Sequence, residues 1–124
     1  MIGYAESQVF PAYALTDMRA ATKLIEKLPG KDPQGRWVRC HELARAVAPF
    51  LSPLWTITDG YYETCDHSWL RAPTGIVLDL YAVGQLPQVL LVDTNALLHR
   101  AAYRPQDRRR DIREDIVQWL RAQL

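Results

Sequence analysis

Apolar residues along the chain fall first at helical spacing, then at strand spacing, then at helical spacing again. Met18, Ala21, Leu24, Ile25 and Leu28 lie three or four apart, which puts them on one face of a helix. Thr16 has the chemistry of an N-cap and Asp17 suits the positive end of the helix. The pattern therefore predicts a helix over 17–28, stopped by Pro29-Gly30. Residues 1–15, with Tyr4, Phe10, Tyr13 and the breaker Pro11, are expected to form an irregular lead-in packed on the domain. Residues 31–35 read as a turn-rich loop. Leu43, Ala44, Val47, Ala48 and Leu51 then give a second apolar helical face. Pro49 must lie near its end, because a proline disrupts the turn before it. Cys40 falls at, or within a turn of, the start of this helix.

Beyond Pro53 the period shortens. Residues 54–58 read as a strand ended by the turn dipeptide Asp59-Gly60. Residues 65–71 read as a second strand, with His67 and Trp69 on one face by alternation. Residues 72–75 form a hairpin-like connection to a third strand, 75–82, with Asp79 near its middle. Gly84 to Pro87 turns the chain into a fourth strand, 88–92. A short helix is expected over 96–102 and a last helix over 107–124, lined by Ile112, Ile116, Val117, Leu120 and Leu124. Arg108, Arg109 and Arg110, followed by Asp111, Glu114 and Asp115, read as its solvated face with i,i+4 charge pairs. Helices, then a meander of strands, then a helix argue one α+β domain over 1–124, with the Cys40 helix packed on a small antiparallel sheet.

Composition adds little to the fold and something to function. A chain of 124 residues can bury a core without disulfide staples. A formal net charge of +1 gives no field to attract nucleic acid or an anionic membrane. No stretch approaches the roughly 20 apolar residues of a membrane span, and residues 1–10 do not resemble a signal peptide. The expectation is a cytoplasmic protein with no nucleic-acid or membrane partner, with export by another route left open. Nothing in the sequence sets the oligomeric state. The two cysteines, Cys40 and Cys65, either bridge or remain thiols.

The candidate chemistry lies in Cys40, His67 and Asp79. A thiol becomes a strong nucleophile as the thiolate, and a helix N-terminus or a nearby imidazolium lowers its pKa. The imidazole needs its other nitrogen held so that the right tautomer faces the sulfur, and a carboxylate does this. Asp79, between Ile76-Val77-Leu78 and Leu80-Tyr81, requires a partner if its strand is buried. That partner is His67, or else Arg71 or Arg39. Cys40-His41 with Cys65 and His67 also makes a ligand set for zinc, but the spacing lacks the usual two-residue knuckle. A cysteine such as Cys40, taken alone, is more often a small buried hydrophobe than a nucleophile, and it is His67 and Asp79 in order that favour the catalytic reading. Glu42, in the first turn of its helix, is accounted for by the helix dipole.

Cys40 with Glu42-Leu43-Ala44, then His67-Ser68-Trp69, then Leu78-Asp79, resembles the core of the transglutaminase-like superfamily, within the wider papain-like fold. The resemblance covers about 40 of the 124 residues. It implies Cys40 as nucleophile, His67 as general base and then acid, and Asp79 as the orienting group. It implies Gln34 as a side-chain oxyanion donor. Trp37, just before the nucleophile, reads as a cleft wall or as packing, and Trp69, like Trp55, as core or pocket wall. The chain departs from the family in carrying His41 where an aromatic commonly follows the Cys, and Leu80-Tyr81 where a Pro follows the Asp. The implied function is cysteine-dependent acyl chemistry on a protein or peptide amide: cleavage, deamidation or acyl transfer, with no metal or organic cofactor. The alternative is a small non-catalytic binding or assembly protein, such as one from a mobile element, that retains the fold.

Overall fold

Pro11 opens the first helix. A computed structural model describes residues 2–4, 10–81, 89–107 and 109–124, and in it α1 spans Ala12–Glu26. The ring fixes Pro11 at φ −64°, and its carbonyl accepts the N–H groups of Ala14 and Leu15. The expected start at Thr16-Asp17 is thus corrected to a start at Ala12, well over a turn earlier. Asp17 is not a first-turn carboxylate but a buried one, accepting Trp55 Nε1–H at 2.7 Å. The lead-in is also corrected in part: β1, Ile2–Tyr4, pairs in parallel with β5, Val89–Asp93.

The second helix, α2, spans Cys40–Val47, with Arg39 as N-cap and Cys40 in the first helical position. A single tight turn, Ala48–Phe50, follows and contains Pro49, as the missing proline N–H leads one to expect.

Strand β2 spans Thr56–Tyr62 and runs straight through Asp59-Gly60, so the expected turn there is overturned. Gly60 is required by a close approach. A Cβ at Gly60 would lie 2.1 Å from the carbonyl oxygen of Arg104 and 2.9 Å from the ring of Trp69. The chain reverses instead at Glu63-Thr64, where Glu63 has φ +53°. Strand β3 spans Cys65–Arg71, as expected, and β4 spans Ile76–Asp79, so that Asp79 ends its strand instead of sitting mid-strand. The connection turns at Gly75, with φ +89°. The expected end of the third strand at Ala82, the turn at Gly84 to Pro87 and Gln88 lie outside the described residues.

Helix α3 spans Leu97–Ala102 and leads into β6, Tyr103–Pro105, a short edge strand that no periodicity announced. The last helix, α4, spans only Glu114–Ala122. The expected start at 107 fails because the Arg-rich segment is spent on tertiary ion pairs. Arg109 pairs with Asp66 and Asp111, and Arg113 pairs with Glu42.

The sheet order is β1-β5-β4-β3-β2-β6, antiparallel from β5 to β6, and the fold is α+β. Alternation divides the sheet into two faces. Leu70, Leu78 and Leu91 meet Met18 of α1, Leu43 and Val47 of α2, and Ile116 and Leu120 of α4 in the main core. Trp69, Val77, Val92 and Tyr103 form a second apolar cluster on the other face. No described helix is long and apolar enough to cross a membrane.

Candidate active site

The apolar stripe of α2 fixes where Cys40 points. Leu43, Ala44 and Val47 are buried in the main core, and Glu42 is buried between two guanidinium groups. Arg39 donates to Glu42 from Nε at 2.9 Å and from Nη2 at 2.6 Å, and Arg113 Nη2 donates at 2.8 Å. Burial raises the Glu42 pKa, but these arginines outweigh it and hold the carboxyl at about 2. The helix dipole alone was too weak an account of Glu42: it ties the start of α2 to the start of α4. With that end clamped, Cys40 faces a cleft of about 580 Å³. His41 and His67 lie beside it, and Trp37, Tyr62 and Tyr81 form walls.

His67 enters from β3 and Asp79 from the end of β4. His67 Nε2 hydrogen-bonds both oxygens of Asp79, at 2.9 and 2.8 Å. A carboxylate only accepts, so Nε2 carries the proton and Nδ1 is the nitrogen left for chemistry. Asp79 is completely buried and accepts two further bonds, from Tyr103 Oη at 2.7 Å and from the Tyr81 N–H at 3.0 Å. Its partner is thus His67, not Arg71 or Arg39. Trp69 stacks on His67 with ring centroids 6.0 Å apart and 28° between planes.

These contacts set the charges. Burial lowers the His67 pKa, but Asp79 and then Cys40 raise it further, to about 10. Burial raises the Cys40 pKa, but the imidazoles of His41 and His67 lower it to about 6. Near neutral pH the cleft therefore holds a thiolate and an imidazolium. Sγ lies 3.6 Å from His41 Nδ1, while His67 acts on it without a direct hydrogen bond of ordinary geometry. The N–H of Cys40, at the first helical position, has no carbonyl partner within α2.

Trp37 lines the cleft and is 58% exposed. Gln34 and Trp69 are not brought to the cleft. Gln34 is exposed in the turn that Asp32 organises, where Asp32 Oδ1 accepts the N–H groups of Gln34 and Arg36. Trp69 is buried behind His67. Both thiols are free, and Cys65 is exposed at the cleft rim. Among the described residues, no group of three His, Cys, Asp or Glu side chains is arranged to hold a metal.

Two contributors escaped sequence reasoning. Tyr103 reaches Asp79 from β6, a strand too short to leave a periodic signal. His41 lies beside the thiol and hydrogen-bonds Ser68 Oγ at 2.6 Å. Its adjacency to Cys40 was the available clue, but adjacent helix residues do not normally share a face.

Comparison of the chain with protein-family models, with curated proteins and with solved structures yields no match.

Proposed function

We propose that this protein carries out cysteine-dependent acyl chemistry on a protein or peptide amide, in a domain resembling the papain-like core of the transglutaminase-like superfamily. The reading rests on one observation. Cys40, at the start of a helix, shares a cleft with His67, whose far nitrogen is held by the buried carboxylate of Asp79.

In this mechanism the Cys40 thiolate attacks the amide carbonyl carbon. The carbonyl oxygen becomes an oxyanion beside the free N–H of Cys40. His67 passes the proton on Nδ1 to the departing nitrogen, and the C–N bond breaks to leave a thioester. Water or an amine then gives a proton back to Nδ1 as it attacks the thioester, and the thiolate leaves. Trp37, Tyr62 and Tyr81 offer apolar walls to the acyl side, which suits a peptide side chain better than a free anion.

The test is the rate of Cys40 alkylation by iodoacetamide against pH, in a Cys65→Ser background. Labelling is expected to follow a thiol pKa near 6 and to slow at that pH in His67→Ala. A thiol titrating at about 8–9, whatever stands at position 67, overturns the reading. The non-catalytic binding or assembly protein then takes its place.

A further inference from the structure

A second buried polar chain ends at the thiol, and the mechanism above does not use it. Arg45 Nη2 donates to Asp59 Oδ2 at 2.7 Å, and Ser68 Oγ donates to Asp59 Oδ1 at 2.6 Å. Ser68 Oγ is in turn 2.6 Å from His41 Nδ1. His41, Ser68 and Asp59 are only 4%, 1% and 9% exposed. This is a costly arrangement unless every group is satisfied.

The proton positions follow from the chemistry of the groups. A hydroxyl has a single proton, and Ser68 gives it to the carboxylate. Ser68 Oγ can then only accept from His41, so Nδ1 of His41 carries hydrogen. Nε2 is left as the nitrogen that exchanges protons. Sγ of Cys40 lies 3.6 Å from Nδ1 and 3.9 Å from Nε2, so the sulfur sits over the imidazole ring instead of in line with either nitrogen, and Nε2 is 3.7 Å from Asp66 Oδ2. The first turn of α2 adds Arg39 and Glu42, which pair with each other. Asp66, from β3, pairs with Arg109 of the segment before α4. Cys65, Tyr62, Glu63 and Tyr81 complete the titratable groups around the cleft.

We propose that His41 is a second catalytic imidazole acting on Cys40, held in place by Ser68 and Asp59 as positioning residues. The inference rests on the acyl-chemistry reading of the same cleft. The proton that the sulfur gives up is the one His67 carries; His41 takes none from the sulfur, and its ring stabilises the thiolate through charge when Nε2 holds a proton from solvent. The thiolate is thereby held from two sides: by His67, oriented directly by a carboxylate, and by His41, oriented by a carboxylate through a hydroxyl.

The experiment is the alkylation profile of Cys40 against pH in the Cys65→Ser background, for His41→Phe, His67→Ala, the double variant, Ser68→Ala and Ser68→Thr. Each single loss of an imidazole is expected to move the thiol only part of the way from about 6 toward the ordinary value of about 8.5. The double variant is expected to reach that ordinary value. Ser68→Ala should move the profile in the direction of His41→Phe, and Ser68→Thr, which keeps the hydroxyl, should restore it. If His41→Phe does not fold, His41→Gln, whose amide still donates to Ser68 but does not titrate, gives the same readout. A profile unchanged by the His41 and Ser68 substitutions but moved by His67→Ala overturns this inference and leaves the acyl reading standing. A profile moved by none of them overturns both.

Discussion

Tyr103 and His67 hydrogen-bond the same carboxylate oxygen: Oη of Tyr103 lies 2.7 Å and Nε2 of His67 lies 2.8 Å from Oδ2 of Asp79. The edge strand β6 thereby reaches into the site through one side chain. Tyr103 is buried, and its pKa is raised by burial and then by the Asp79 charge, so it stays a donor. We expect Tyr103→Phe to cost acylation roughly 1 kcal/mol, about fivefold, the worth of one hydrogen bond. Asp79→Asn also removes the charge that keeps His67 protonated, and its loss is expected at about 10²- to 10⁴-fold. On the proposed acyl chemistry, acylation rates in the two variants check this, and an unimpaired Asp79→Asn variant is the result that contradicts it.

The thiolate–imidazolium pair sets a pH window. Cys40 gives up its proton near 6 and His67 keeps its own to about 10. Acylation is therefore expected to be bell-shaped, rising through about pH 6 and falling toward pH 10, with both limbs belonging to the coupled pair. A rate that rises with a single limb near pH 8–9 contradicts this, and a pH profile of kcat/KM on any turned-over amide decides it.

Glu42 is one acid-sensitive element of the fold. Its pKa falls from 4.5 to about 2 on folding, so its ion pairs stabilise fully above 4.5 and are lost as pH drops through 2. Glu42→Ala leaves Arg39 and Arg113 without their shared buried partner. It is expected to destabilise the protein by about 3–5 kcal/mol at neutral pH. Urea melts of wild type and variant should differ at pH 7 and converge near pH 2.

Gly60→Ala tests the packing that seats Tyr103. The new methyl would meet backbone, the Arg104 carbonyl, which cannot yield as a flexible side chain can. The expected loss is about 3 kcal/mol, at the upper end for overpacking. β6 should shift as well, so a Gly60→Ala protein that still folds should lose acylation much as Tyr103→Phe does. Thermal melts and acylation rates on the same preparation check both parts.

The elements that the sequence announced are those whose signal is local. The limits of β3, Cys65–Arg71, are as expected. The stripe Leu43, Ala44, Val47 sets the helix that begins at Cys40. A carboxylate among apolar residues marks Asp79 as needing a partner. From these, the α+β class and the order of Cys40, His67 and Asp79 could be read. Asp59-Gly60 misled, because a turn dipeptide and a glycine demanded by a crossing backbone look alike in one dimension. The segment 109–113 misled because its helical pattern competes with charges brought from 42 and 66.

Local periodicity located α2, β3 and the order of helices and strands, and residue chemistry determined which side chains require partners. Tertiary structure alone decided which partners they found. It assigned Asp79 to His67 and Tyr103 instead of an arginine, and turned Gln34 out to solvent. It also brought His41 to the thiol through Ser68 and Asp59, residues supplied by β3 and β2. The reason is physical. A side chain's periodic position is fixed by its neighbours along the chain. Its hydrogen bonds are fixed by distances of about 3 Å across strands whose register forms only when the whole sheet does.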